Sequence, residues 1–137
     1  MEILKHTFEI PKLGVVNGDI VELDPERVTC SFALTIKALE LFEEEYGEPI
    51  INVLFGNNNS EATTGRFVRA LACSMYLKIA DGQILQNEAT KEEFQNLEIY
   101  QSVASDLTFT ANLVTTAVKS IEEKTKKDSE NNKQVKN

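Results

Sequence analysis

The chain has one histidine, two cysteines and three prolines in 137 residues, and no apolar run approaches the roughly 20 residues that a membrane span requires. Each shortage excludes something. A hydrolytic nucleophile needs a base within hydrogen-bond reach, usually a histidine. The only one is His6, near the N-terminus on a predicted strand, where it reads as an exposed side chain. The same scarcity disfavours metal ligation, and neither the alternating acids of a calcium loop nor a glycine-rich phosphate loop is present. Cys30 and Cys73 lie far apart among apolar neighbours, outside any ligand spacing, and read as reduced core thiols. Basic charge is also short, with 14 Lys and Arg against 22 Asp and Glu and a net charge of -8. Nucleic-acid affinity rests on cationic neutralisation of phosphates, so the expected partners are neutral or basic proteins. The first six residues lack the charged and hydrophobic blocks of a signal peptide, and the chain is expected to stay in the cytoplasm where it is made. No cofactor is expected, and no internal repeat of solenoid length occurs.

What is present is a change of period. Val28, Cys30, Phe32, Leu34 and Ile36 alternate with smaller or polar residues, as in a strand with one buried face. From Ala38 the apolar positions Ala38, Leu39, Phe42 and Tyr46 recur at helical spacing, and Gly47 followed by Glu48-Pro49 closes the segment. Upstream, 3–10 predicts a strand ending at Pro11, Asn17-Gly18 a hairpin turn between aliphatic runs, and Asp24-Pro25 a further turn. Downstream, 49–55 predicts a short helix with Pro49 in its first turn. A helix over 61–81 follows, capped by Ser60 and ended by Asp81-Gly82. Beyond Gly82 there is no glycine or proline, which favours helix. Thr90-Lys91-Glu92-Glu93 has the form of a capping box opening a helix over 91–105, and a break near Ser105-Asp106 separates it from another over 107–124. The expected fold is α+β and mostly α: a small antiparallel sheet over about 3–35 packed on four or five helices (36–46, 49–55, 61–81, 91–105, 107–124). Residues 1–124 make one domain, and the polar tail at 125–137 is expected to be disordered, having too little apolar surface to offset its ordering entropy.

Two surfaces stand out. Glu40, Glu43, Glu44, Glu45 and Glu48 crowd on and beyond one helix. A solvated face is the plain reading; an acidic docking surface is the functional one, and general acid catalysis would require carboxylates desolvated beside a substrate. The run 49–55 is densely apolar for so small a domain, and partial exposure would make it a protein-binding patch.

The strand running into Lys37-Ala38-Leu39, then Phe42 and Tyr46-Gly47, resembles the start of the tail assembly chaperones of long-tailed phages that infect Gram-positive hosts. The similarity covers residues 28–55, and the lead-in over 13–27 is longer than that family's. The resemblance implies a non-enzymatic chaperone that binds tape-measure and tail-tube proteins and keeps them soluble before they polymerise, acting in the infected host's cytoplasm and not in the finished virion. The expected partner-binding residues are Glu40, Glu43, Glu44, Tyr46, Ile50, Ile51, Leu54 and Phe55, with no nucleic acid or membrane involved and homo-oligomerisation left open. The resemblance also implies a longer product made by ribosomal frameshifting in the lysine-rich tail, at Lys126-Lys127 or Asn131-Asn132-Lys133. Two other readings remain: an acidic inhibitor that imitates nucleic-acid charge in a host protein's basic cleft, and an enzyme using a carboxylate pair.

Overall fold

The computed structural model describes residues 1–56 and 59–135, with the backbone alone described for Asn59, Thr63 and residues 127–135. Two long strands open the chain, β1 (Ile3–Val16) and β2 (Asp19–Ala33), joined by Asn17-Gly18. Both turn residues have positive φ (52° and 83°), which asparagine tolerates and glycine adopts freely; such two-residue turns match the twist of the flanking strands. The expected breaks at Pro11 and Asp24-Pro25 are not breaks. The register skips between the Ile10–Glu26 and Lys12–Leu23 pairs, so both prolines sit at a bulge, where a missing N–H costs no ladder bond and the strands run on through it.

Below the bulge, Phe8 and Ile10 of β1 face inward with Cys30 and Phe32 of β2, while Lys5, Thr7, Glu9, Arg27 and Thr29 face solvent. Phe32 is the hub of this layer: its ring centroid lies 5.1 Å from Phe109, 5.7 Å from Phe94, 6.3 Å from Tyr76 and 6.4 Å from Phe8. Helix α1 (Ile36–Tyr46) follows as predicted. The Thr35 hydroxyl accepts from the Ala38 N–H at 3.0 Å, and Gly47 (φ 84°) closes the helix through an N–H donated to the Glu43 carbonyl at 2.8 Å.

Helix α2 (Ile50–Leu54) begins one residue after Pro49, which stands at its N-cap position. The helix expected over 61–81 is three things. Residues Asn59–Thr63 form a 3-10 turn, and Thr64 rather than Ser60 caps α3 (Gly65–Met75). Then β3 (Tyr76–Ala80) pairs with β2 at Ser31–Leu77 and Phe32–Tyr76. Asp81-Gly82 does not simply end a helix: with φ of 52° and 75° it turns β3 into β4 (Gln83–Leu85), completing an antiparallel sheet in the order β1-β2-β3-β4. Helix α3 is buried almost all round, from Phe67 through Met75, as a helix central to a core must be. Its Cys73, like Cys30, is a free buried thiol; burial pushes Cys30 up to about 11 and Cys73 up to about 12.

The helix expected over 91–105 also divides. Helix α4 (Glu88–Gln95) starts earlier than predicted because Asn87 is the cap and Thr90 its reciprocal partner, so the capping box lies three residues upstream of the expected one. A 3-10 segment (Glu98–Ser105) precedes α5 (Leu107–Val135). The predicted break at Asp106 is real. Its side chain accepts from the Phe109 N–H at 3.0 Å and its carbonyl from the Thr110 N–H at 2.9 Å, so it opens α5. Ile121 is the last described α5 side chain packed on the core. The α5 backbone continues into the tail expected to be disordered, as far as Val135; the side chains from 127 on and residues 136–137 lie outside the described residues.

His6 is not the exposed side chain expected. It sits between the rings of Phe8 (4.7 Å) and Phe109 (5.0 Å), and its Nε2 lies 2.8 Å from the Asp106 carboxylate. A carboxylate only accepts, so Nε2 carries the proton and the bond ties β1 to the start of α5. Burial alone would raise the Asp106 carboxyl, but the Phe109 N–H, His6 and the Thr108 N–H together hold it below its ordinary value. A depressed carboxylate stabilises the fold above its unfolded pKa and stops doing so as pH falls through the folded value. Asp106→Ala is therefore expected to cost about 1–2 kcal/mol at pH 7, the range for a lost helix cap. Urea denaturation should show that gap between variant and parent narrowing below about pH 4; a gap of the same size at pH 7 and pH 3 would contradict this account.

Candidate partner-binding surface

The turn Gly47-Glu48-Pro49 folds α2 back beside α1, and between them lies a shallow cleft of about 190 Å³ lined by Leu39, Glu43, Pro49, Ile50 and Ile51. Sites for small ligands usually run to roughly 300–1,000 Å³, so this one suits one or two side chains of a protein. Its walls are apolar, and Glu43 is the one acid that lines it. Ile51 and Phe55 stand on the exposed side of α2, 54% and 51% accessible, while Glu40, Glu43 and Glu44 project from α1 into solvent. Lys37 lies 3.6 Å from Glu40, an exposed pair of the kind that contributes little.

Of the eight expected partner-binding residues, five are thus exposed, and Ile50 is buried yet lines the cleft. Leu54 is half-buried against the core. Tyr46 is corrected: it is 4% exposed and structural. Its ring stacks on Phe42 at 5.1 Å, meets Phe67 edge-on at 5.6 Å and carries the Arg66 guanidinium 4.2 Å above it, and its hydroxyl donates to Glu61. Burial pushes the Tyr46 hydroxyl up to about 12, with the Glu61 carboxylate adding to it. An aromatic at a stripe position is core far more often than contact surface, and Tyr46 follows that rule. Leu39 and Pro49, not among the expected contacts, complete the cleft because the helix pair brings them to its wall.

Glu45, next to these acids, has a different task. It accepts from Lys91 of α4 at 2.8 Å and from Gln95 at 2.8 Å, while Glu88 takes the other side of the Lys91 ammonium at 2.8 Å. Burial alone would lower the pKa of Lys91, whose side chain is only 5% exposed, but the two carboxylates hold it above its ordinary value. This pairing locks α1, and with it one wall of the cleft, to α4.

Among the described residues no Asp or Glu is buried, no group of three or more His, Cys, Asp or Glu is placed to hold a metal ion, and no helix is long and apolar enough to cross a membrane. Comparison with known proteins found no matching family, no matching curated protein and no matching solved structure.

Proposed function

We propose that this chain is a non-enzymatic tail assembly chaperone, holding tape-measure and tail-tube proteins soluble in the cytoplasm of an infected bacterium until they polymerise. The observation that carries the reading is the α1–α2 surface. It lies within the segment where the sequence resembles that family, and there an apolar cleft lined by Glu43 opens beside the exposed Ile51 and Phe55, with Glu40 and Glu44 exposed on the same helix as Glu43. A helix with an apolar face and basic flanks finds both halves of its complement on such a surface. Apart from the tip of the β1–β2 hairpin, acids elsewhere are interspersed with cations, in Glu9–Arg27, Lys12 with Glu26 and Glu98, Lys78–Glu93 and the Lys91 pairs. That mixture favours a chaperone over a charge mimic, which needs a one-signed array.

A very long coiled-coil-rich gene is expected immediately downstream, and the test is co-expression with its product. The large protein should move from the pellet to the supernatant when this chain is present, and the two should copurify. In the double variant Ile51→Ser/Phe55→Ser the affinity should fall about 30-fold, the loss of one hot-spot residue's worth of binding. Its own stability should change by no more than about 0.5 kcal/mol per site, since both side chains are exposed. A tape-measure protein equally soluble with and without this chain would remove the reading.

A further inference from the structure

Beyond the bulge the β1–β2 hairpin outruns the rest of the sheet. Leu13, Val15, Val16, Ile20 and Leu23 are between 47% and 77% exposed. Cross-strand partners share a face and successive pairs alternate faces. Leu13–Glu22 and Val15–Ile20 therefore occupy one side, and Lys12–Leu23 and Gly14–Val21 the other. Both sides of this ribbon are apolar, so turning it over would not hide it. A two-stranded hairpin standing alone is marginal in water, and a third strand is what ordinarily steadies one.

An edge is open to supply it. On the side of β2 away from β1, β3 occupies only Ser31 and Phe32, and among the described residues no strand pairs with 19–23 on that side. Natural edges are blunted with charged side chains, above all lysine, or with proline or a bulge. Residues 13–23 contain no lysine, proline or bulge, and their only charges are the acids Asp19 and Glu22. Charge then selects the occupant. Asp19 and Glu22 stand on the edge itself and Asp24 just past it, while Glu26 beyond them is paired with Lys12, and no Lys or Arg occurs between Lys12 and Arg27. A second copy would bring the same acids against themselves in a chain already at -8.

We infer that the open edge of β2 at residues 19–23 accepts, as an added antiparallel or parallel strand in line with β3, an extended segment of another protein in which aliphatic residues alternate with lysine or arginine. The inference does not depend on the chaperone reading, because the surface is separate from the α1–α2 cleft and the probe is a peptide.

The probe is a ten-residue peptide of alternating valine and lysine, compared on the full chain with a valine–glutamate peptide and with a valine–lysine peptide carrying proline at every second valine. The lysine peptide should bind about threefold or more tightly than the glutamate one, from one or two weak ion pairs gained and the matching repulsion avoided, and should weaken as salt rises. Hydrogen exchange should show new protection at the amides of 19–23. The proline peptide should not bind, because it cannot complete the ladder. Val15→Lys/Ile20→Lys should abolish binding, while Ile51→Ser/Phe55→Ser should bind like the parent, so failure here is distinguishable from failure of the chaperone reading. No binding, equal binding of the lysine and glutamate peptides, retained binding of the proline peptide or protection confined elsewhere would each overturn the inference. So would concentration-dependent dimerisation of the chain alone that Val15→Lys/Ile20→Lys removes, since the occupant would then be a second copy.

Discussion

Phe32→Ala is expected to lower the unfolding free energy by about 3–5 kcal/mol, a large part of what holds a domain of this size folded. The side chain is completely buried and stands where every layer meets: β1 through Phe8, β3 through Tyr76, α4 through Phe94 and α5 through Phe109. Removing it forfeits the transfer energy of the ring and leaves a cavity among four aromatic neighbours. Those neighbours belong to four different elements, so closing the gap would move the elements themselves. Urea denaturation of the variant, set beside Phe55→Ala, checks the claim. Phe55 is half exposed and its loss should cost far less. A Phe32→Ala variant within about 1 kcal/mol of the parent would mean that the aromatic layer is not the centre of the fold.

The second large effect is polar. Gln86 has no apolar role, yet its amide nitrogen donates to the Ala33 carbonyl at 3.1 Å and the Met75 carbonyl at 3.0 Å, and its oxygen accepts from the Thr35 hydroxyl. One side chain thus closes the end of β2, the cap of α1 and the exit of α3. Gln86→Ala is expected to cost about 2–4 kcal/mol, because it strands carbonyls that water reaches poorly and loosens the hydroxyl that caps α1. Gln86→Glu sharpens the test. It preserves size but replaces two donors with acceptors facing carbonyls, so it should destabilise at least as much as alanine at pH 7. If Gln86→Glu equals the parent in thermal denaturation, the two amide bonds are not holding these elements together.

Why some of this was legible and some was not follows from particular residues. The strand-to-helix switch at Thr35 shows in the change of period from two to 3.6, and Asn17-Gly18 and Gly47 show because positive φ demands those residue types. The second hairpin is hidden. Asp81-Gly82 can stop a helix or turn a strand, and Tyr76 and Ile79 fall at spacings that continue the α3 stripe, so nothing local separates the two readings; pairing of β3 with the distant Ser31 and Phe32 decides it. The α4 cap is missed because Asn87 and Thr90 both cap well and the reciprocal bond can use threonine in place of glutamate. At the candidate site, the acids and the exposed Ile51 and Phe55 are visible from the crowding of like residues. Tyr46 is misplaced because exposure of an aromatic depends on what packs over it, here Phe67 and Arg66. The projecting hairpin carries a signal that composition hides: both strands remain aliphatic past the bulge, on faces of both parities, for longer than a body of this size can cover.

The bond between His6 and Asp106 joins residues 100 apart in the chain. A ribosome adding roughly 5–20 residues per second finishes the first some 5–20 s before the second. Through that interval the sheet face bearing Phe8 has no Phe109 to close over it, so on the ribosome the nascent β1–β2 hairpin is an open, sticky surface until α5 is made. Anything that covers apolar surface during synthesis would have to act in that window and on that face.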